Sequence, residues 1–220
     1  DPRAAYLEAL SRLLNMEKIR SSGLRIVFDA LFSTSRGYLD VFLEREGLLV
    51  EKLHCYRDPL FGGGMPEPRP EYLSELALTL RQGDYDLGIA TDGDADRFGV
   101  MDETGNSFSS NQVLCMLTRH LFKNKGQRGA IVRTVSTTHM LNHQAAAYGL
   151  PVVETPVGFK YVGEEMRIGD VMIGGEESGG VSIKGHIPEK DGILGDLLVI
   201  EMLAYEKKSL SEIWSELQDE

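Results

Sequence analysis

Apolar residues recur at helical spacing through Tyr6, Leu7, Leu10, Leu13 and Leu14, with Met16 and Ile19 following, and this predicts a lead-in helix that stops at Gly23. Short apolar runs then alternate with amphipathic ones. Residues 24–28 read as a strand, 35–46 as a helix closed by Gly47, and 48–54 as a second strand. Residues 56–70 carry Gly62, Gly63 and Gly64 together with several prolines, so they are expected to be irregular. A helix over 71–81 leads to a third strand at 86–90. A fourth strand at 97–102 runs back to a turn at 103–106.

The same rhythm then repeats. A helix at 111–122 opens the second half, followed by strand 130–134, helix 137–148, strand 152–154, helix 159–166 and strand 171–173. Two helical stretches, 193–205 and 210–217, close the chain, and Trp214 sits on an apolar face of the last with Leu210 and Ile213. Strands alternating with helices imply largely parallel sheets. The expectation is an α/β fold of two similar three-layer α/β/α domains, residues 1–106 and 107–220, each a mostly parallel mixed sheet flanked by helices. Ligands of such sheets bind beyond the carboxyl ends of the strands.

Composition narrows the chemistry. The 220 residues carry a net charge of -11, which argues against nucleic-acid and anionic-membrane partners but leaves room for a small phosphorylated ligand held by local cations. Cys55 and Cys115 are far apart and form no metal or redox motif, so a reduced, cytoplasmic setting is expected. No apolar run is long enough to span a bilayer.

The third predicted strand runs into Thr91-Asp92-Gly93-Asp94-Ala95-Asp96-Arg97. Three carboxylates at alternate positions repel one another, and a hard divalent cation with oxygen ligands offsets that repulsion. Arg97 adds a fixed cationic fork suited to a phosphate. A solvated acidic turn is the plain alternative. An EF-hand calcium loop is the sharper one, since Glu103 falls at its twelfth position, but position six must be glycine and is Arg97. The flanks also read as strands where that motif needs helices.

In the second half the corresponding strand runs into a polar loop, 174–180, containing Glu176, Glu177 and Ser178 among four glycines. Carboxylates beside a phosphate would repel it, whereas a carboxylate and a hydroxyl suit sugar hydroxyls. Positive charge is offered by Lys160, after Gly158 and Phe159 where a helix begins with free N–H groups, and by Lys190 in the loop before the next helix. Two other sets are read as structural. His139 and His143 stand four apart but lack a third ligand, and the serines of 33–37 are expected to cap a helix.

Taken together, the 91–97 and 175–179 loops, with segments 61–68, 157–160 and 185–192 in order, resemble the α-D-phosphohexomutases, the phosphoglucomutase/phosphomannomutase family. The resemblance covers nearly the whole chain and matches the second and third of the family's four domains. It implies that Asp92, Asp94 and Asp96 hold Mg2+, that Arg97 lies near the phosphoryl group, and that Glu176 and Ser178 bond sugar hydroxyls. It also implies that Gly158, Phe159 and Lys160 contact substrate and that Lys190 contacts it or assists proton transfer. The implied partners are a phosphorylated hexose, a hexose 1,6-bisphosphate intermediate, and the family's first and fourth domains. The implied activity is an intramolecular phosphotransfer between the 1- and 6-positions of glucose or mannose through a phosphoserine. The serine segment has no match here, so the isolated chain is expected to be inactive. A non-catalytic metal- and sugar-binding module, a calcium-stabilised domain and an aspartate-dependent phosphatase remain the alternatives.

Overall fold

The computed structural model describes residues 1–220. Helix α1 (Arg3–Leu13) and the short α2 (Met16–Arg20) replace the single expected lead-in helix. The break lies at Leu14 and Asn15, where the Asn15 side chain accepts from the Lys18 N–H and starts α2 afresh. The first sheet comprises β1 (Arg25–Asp29), β2 (Leu49–Leu53), β3 (Leu87–Thr91), β4 (Phe98–Asp102) and a two-residue β5 (Ser107–Phe108). Its order is β2-β1-β3-β4-β5, with β1 parallel to β2 and β3, and β4 antiparallel to β3. Helices α3 (Leu39–Arg45) and α4 (Ser74–Gln82) connect its strands.

The second sheet repeats that plan with β6 (Ala130–Thr134), β7 (Val152–Thr155), β8 (Val171–Gly175) and β9 (Val181–Ile183) in the order β7-β6-β8-β9. Again the first three are parallel and the last is antiparallel to β8. Helices α5 (Ser110–Arg119), α6 (Met140–Tyr148) and α7 (Phe159–Ile168) surround it, with a single π turn at His120–Asn124 after α5. The antiparallel fourth strand of each sheet forms a hairpin with the third, and in the first sheet β5 adds antiparallel to β4. Each sheet is therefore mixed but mostly parallel, flanked by helices, as the sequence pattern predicts.

Helix α8 (Gly192–Glu206) packs against β3 and β4 of the first sheet and β9 of the second, before α9 (Leu210–Gln218) closes the chain. It is buried nearly all round, from Gly192 to Ala204, which fits a helix apolar on every face. A continuous core joins both halves through it, with Ile26, Phe28 and Ile89 at one end and Ile173, Val181 and Leu210 at the other. Smaller clusters lie under α4, around Leu76 and Leu80, and under α7, around Phe159 and Val162. No helix is long and apolar enough to cross a membrane.

Two local expectations need correction. Helix α3 begins at Leu39, later than expected, and neither Ser33 nor Ser35 caps it. Their hydroxyls turn inward instead, 2.7 Å from each other, and Ser35 Oγ lies 2.6 Å from Thr91 Oγ1 at the end of β3. Buried hydroxyls satisfy one another there, which outweighs capping.

Candidate metal and ligand site

The loop 92–97 is the hairpin connection between β3 and β4, so the strands flanking it exclude the helix–loop–helix of an EF-hand. Asp92 is buried, and its Oδ1 accepts from the backbone N–H groups of Asp96 (3.0 Å) and Arg97 (3.1 Å). Those two bonds curl the loop into a ring. Ala95 closes it in the left-handed region at φ 64, an uncommon conformation for a residue with a Cβ. Gly93 N donates to Pro66 O, and a Cβ at Gly93 would lie 3.1 Å from Pro66 Cγ, so the irregular 56–70 segment buttresses the loop from outside.

Ligand atoms of Asp92, Asp94 and Asp96 all lie within 4.8 Å of one another. The Asp92 carboxyl is pushed up to about 6, by burial above all and then by the charges of Asp96 and Asp94, against the lowering effect of the Arg97 N–H bond and the Arg97 charge. Arg97 Nε sits 3.1 Å from Asp92 Oδ2 and 3.6 Å from Asp96 Oδ1, and Lys190 Nζ sits 2.8 Å from Asp96 Oδ2. Asp96 Oδ1 is buried without a hydrogen-bond donor. Three carboxylates face two cations, the donors are all oxygen, and one buried oxygen remains unsatisfied. That set fits a hard divalent cation.

Lys190 is the hub between the two hairpins. Its head group reaches Asp96, while its stem lies over Gly180 of the second hairpin, where a Cβ would come within 3.0 Å of Lys190 Cδ. The hairpins also meet directly, since Phe98 N donates to Gly179 O at 3.2 Å. Gly192 N, at the start of α8, donates to Ala95 O. A cleft of about 370 Å³ opens beside this junction, lined by Tyr6, Thr34, Tyr38, Asp94, Asp96 and Lys190 among others. A larger cleft of about 700 Å³ lies elsewhere, between Lys18, Asp86, Glu103 and Lys207 near the starts of β1 and β3. It contains none of the expected site residues, so size alone does not locate the site.

The second hairpin is arranged differently from expectation. Glu176 is buried, and its Oε1 accepts from Gly158 N at 3.0 Å while Ser178 Oγ lies 3.3 Å from Oε2. Burial raises its pKa, opposed by the Gly158 bond and by the charge of Lys190. The Gly158 N–H at the start of α7, expected to be open to an anion, is thus occupied by the chain's own carboxylate. Glu177 Oε2 accepts from Thr134 Oγ1 at 3.0 Å. Ser178 is exposed, and Phe159 is buried in the core under α7. Lys160 is exposed at the first turn of α7 with its Nζ over the Tyr161 ring, 4.7 Å from the centroid, and reaches neither hairpin.

His139 Nδ1 lies 3.1 Å from Arg133 Nη2, which answers the structural role expected of it. Residues to which the sequence assigned no role at the site are Tyr6, Tyr38, Asp191 and Gly192. Asp191 carried a usable signal, an aspartate before Gly192-Ile193-Leu194, and its side chain does accept from Leu194 N as a helix cap. Tyr6 carried none, because it belongs to an ordinary apolar helix face.

Similarity to known proteins extends over both halves. The model of the phosphoglucomutase/phosphomannomutase alpha/beta/alpha domain II matches residues 4–105, and that of domain III matches residues 109–220. The chloroplastic phosphoglucomutase of Solanum tuberosum is 34% identical over 94% of this chain, which covers 34% of that protein. The phosphoglucomutase/phosphomannomutase of Thermococcus kodakarensis is 28% identical over 96% of this chain, which covers 46% of it. A solved structure from Thermus thermophilus, assigned as a phosphomannomutase, superposes with a TM-score of 0.95 at 38% identity, over all of this chain and 51% of that one. The chain thus spans between about a third and a half of the length of such relatives. With both domain models and the whole fold in agreement, the chain belongs to the phosphoglucomutase/phosphomannomutase family.

Proposed function

We propose that this chain is the central part of a phosphohexomutase that interconverts hexose 1-phosphate and hexose 6-phosphate, with glucose or mannose as the sugar, through a phosphoserine and a bisphosphorylated intermediate. The observation that carries this is the junction at Lys190, whose ammonium group meets the carboxylate cluster beside a cleft and whose stem lies on the hydroxyl-bearing hairpin. Relatives named as phosphoglucomutases match over nearly the whole chain and support the same reading.

Asp92, Asp94 and Asp96 would hold Mg2+, which when bound neutralises charge on a phosphoryl group and polarises its oxygen. Arg97 fixes the shape of the cluster through Asp92 and Asp96 and keeps positive charge beside it. Lys190 lies between the hairpins, where its ammonium group meets a substrate oxygen and places a proton within reach of it. Ser178, whose exposed hydroxyl donates to Glu176, offers its oxygen lone pairs to the sugar, and Glu176 sets the height of Ser178 while its remaining lone pairs accept from sugar hydroxyls. Gly158, Phe159 and Lys160 form the adjoining helix start, with Lys160 free to swing to a phosphate. The serine nucleophile and a distal phosphate site would come from the family's first and fourth domains.

The isolated chain is therefore expected to be inactive. A coupled assay with glucose 1-phosphate and Mg2+ checks this: no turnover by the 220-residue chain alone, and turnover when it is joined to first and fourth domains of a relative. Turnover by the chain alone would refute the assignment of the nucleophile. Metal preference separates the reading from a calcium-stabilised module, which would bind Ca2+ tightly and ignore Mg2+.

A further inference from the structure

Lys190 is held in place from a direction that neither hairpin supplies. Its neighbour Asp191 is buried, and the Asp191 carboxylate accepts from the phenol of Tyr6 at 2.8 Å and 2.9 Å. It also accepts from Leu194 N at 2.9 Å, and His186 Nε2 lies 3.1 Å from its Oδ2. The residue after it, Gly192, donates to Ala95 O inside the aspartate loop. Lys190 thus projects from a segment pinned on one side by Asp191 and on the other by its own contact with Asp96.

Tyr6 is the one donor to Asp191 that comes from outside the second half of the chain. It sits on α1, 185 residues away in sequence, and it is braced there. Its ring packs edge-on against Tyr38 at 6.1 Å, the Arg3 guanidinium lies 5.0 Å over the Tyr38 ring, and the neighbouring Leu7 and Leu10 are buried in the common core. The foot of α1 is fixed as well, because Asn15 N donates to the buried Glu201 of α8. Burial and the adjacent Asp191 charge both raise the Tyr6 pKa, so the phenol remains a donor throughout the neutral range. Tyr6 also lines the cleft on which Asp94, Asp96 and Lys190 border.

We propose that Tyr6 is a positioning residue for Lys190, acting through Asp191: the phenol fixes the carboxylate, the carboxylate fixes the 190–192 segment, and the segment delivers the ammonium group to Asp96. The assignment of a role to Lys190 rests on the phosphohexomutase reading. The positioning itself rests only on these contacts. A hydrogen bond to a carboxylate is among the stronger ones, and a phenol built into a braced helix reaches it without reorganisation.

Pulse acetylation of the whole chain, read at each lysine by mass spectrometry, tests the relay without metal or substrate. An ammonium paired to a carboxylate acylates slowly. Tyr6→Phe should speed labelling of Lys190 by about two- to fivefold, the range for releasing a partly exposed ion pair. Labelling of Lys184, in another ion pair, and of Lys125, bound to buried Glu201, should not change. Asp96→Asn should speed Lys190 to a similar degree, and the double variant should add little more, because both changes break one chain of contacts. Asp191→Asn, which keeps the size but weakens the acceptor, gives the same test should Tyr6→Phe unfold.

A Lys190 rate unchanged in Tyr6→Phe but raised in Asp96→Asn would overturn the proposal, as would full additivity or a general rise at every paired lysine. Loss of the mutase reading shows up elsewhere, as absence of turnover in the assembled enzyme, and would leave the labelling pattern untouched.

Discussion

The two halves of the molecule share a four-strand topology, to which the first adds β5, and their hairpins differ in where the first carboxylate of each finds its hydrogen bonds. In both, a third parallel strand turns into an antiparallel fourth, and an acid follows the third strand at once: Asp92 after β3, Glu176 after β8. Both are buried, and burial raises both pKa values. Asp92 is short and bonds to its own loop, at Asp96 N and Arg97 N, which winds the loop tight and gathers Asp94 and Asp96 beside it. Glu176 is one methylene longer and reaches out to Gly158 N at the head of α7. Its loop is closed by backbone bonds instead, Glu176 N to Gly180 O and Gly179 N to Glu176 O, with Ser178 exposed. The first hairpin concentrates negative charge, whereas the second presents a hydroxyl and backbone.

The largest expected effect concerns how each hairpin is braced. A Cβ at Gly192 would stand 2.4 Å from Arg97 O and 2.9 Å from Ala95 O, both backbone atoms that cannot step aside. Gly192→Ala is expected to cost about 3 kcal/mol, the upper range for overpacking, and to weaken Mg2+ binding with it. Gly174→Ala, behind the second hairpin, meets the side chains of Val162 and Met166 and should cost about 1 kcal/mol, since side chains can repack. Urea denaturation of both variants gives the comparison, and equal losses would show that the first hairpin is no more tightly braced than the second.

Next in size is the division of labour between the acids. Asp94 is exposed and has no hydrogen-bond or ion-pair partner, so no contact of the fold is lost with its charge. Asp94→Asn should weaken Mg2+ by about 100-fold, since even indirect changes around a metal cost roughly 10- to 100-fold, with an unchanged melting temperature. Glu177→Gln, whose carboxylate serves Thr134 and Thr137, should leave Mg2+ affinity alone. Calorimetric titration of each variant against Mg2+ decides the matter, and a metal response lost in both would mean that the hairpins are not divided in this way.

The halves differ too in how much of them could be read from sequence. The aspartate cluster was legible because alternate carboxylates on a short loop have a local reason to exist, and the repeated rhythm of strands and helices was legible because it rests on periodicity. Strand β9 was missed because Val181, Ser182 and Ile183 are too few to show a period, and β5 for the same reason. The break between α1 and α2 at Asn15 was hidden by apolar spacing that runs through it. The internal use of Glu176 was not legible at all. Its partner Gly158 is 18 residues away, and nothing local distinguishes a carboxylate that binds a ligand from one that binds the chain. The same holds for Tyr6, whose significance depends on a contact with Asp191 across the molecule.

The smallest expected effect is on pH dependence, and it probes the winding of the first hairpin directly. The folded chain holds the Asp92 carboxyl at about 6, against 3.8 for the same group in an unfolded chain. Below the lower value both states are protonated and Asp92 contributes nothing. As pH rises towards the upper value the unfolded chain releases its proton while the folded chain retains it, so stability falls, and above the upper value the full cost is present. Asp92→Asn removes that cost but also the contact with Arg97. After solvent screening of the loop, the metal-free variant should gain about 1–2 kcal/mol above pH ~6, with the gain disappearing as pH falls to ~4. Mg2+ should reverse the order, because it binds the ionised cluster of the parent chain and has less to bind in the variant. Glu176→Gln should gain less than Asp92→Asn, since the Gly158 N–H and the Lys190 charge already favour its ionised form. Melting temperatures between about pH 4 and 8, with and without Mg2+, measure all of this. If the two variants gain alike, the tight loop around Asp92 is not what sets the first hairpin apart, and the charge of its neighbours alone would have to account for the difference.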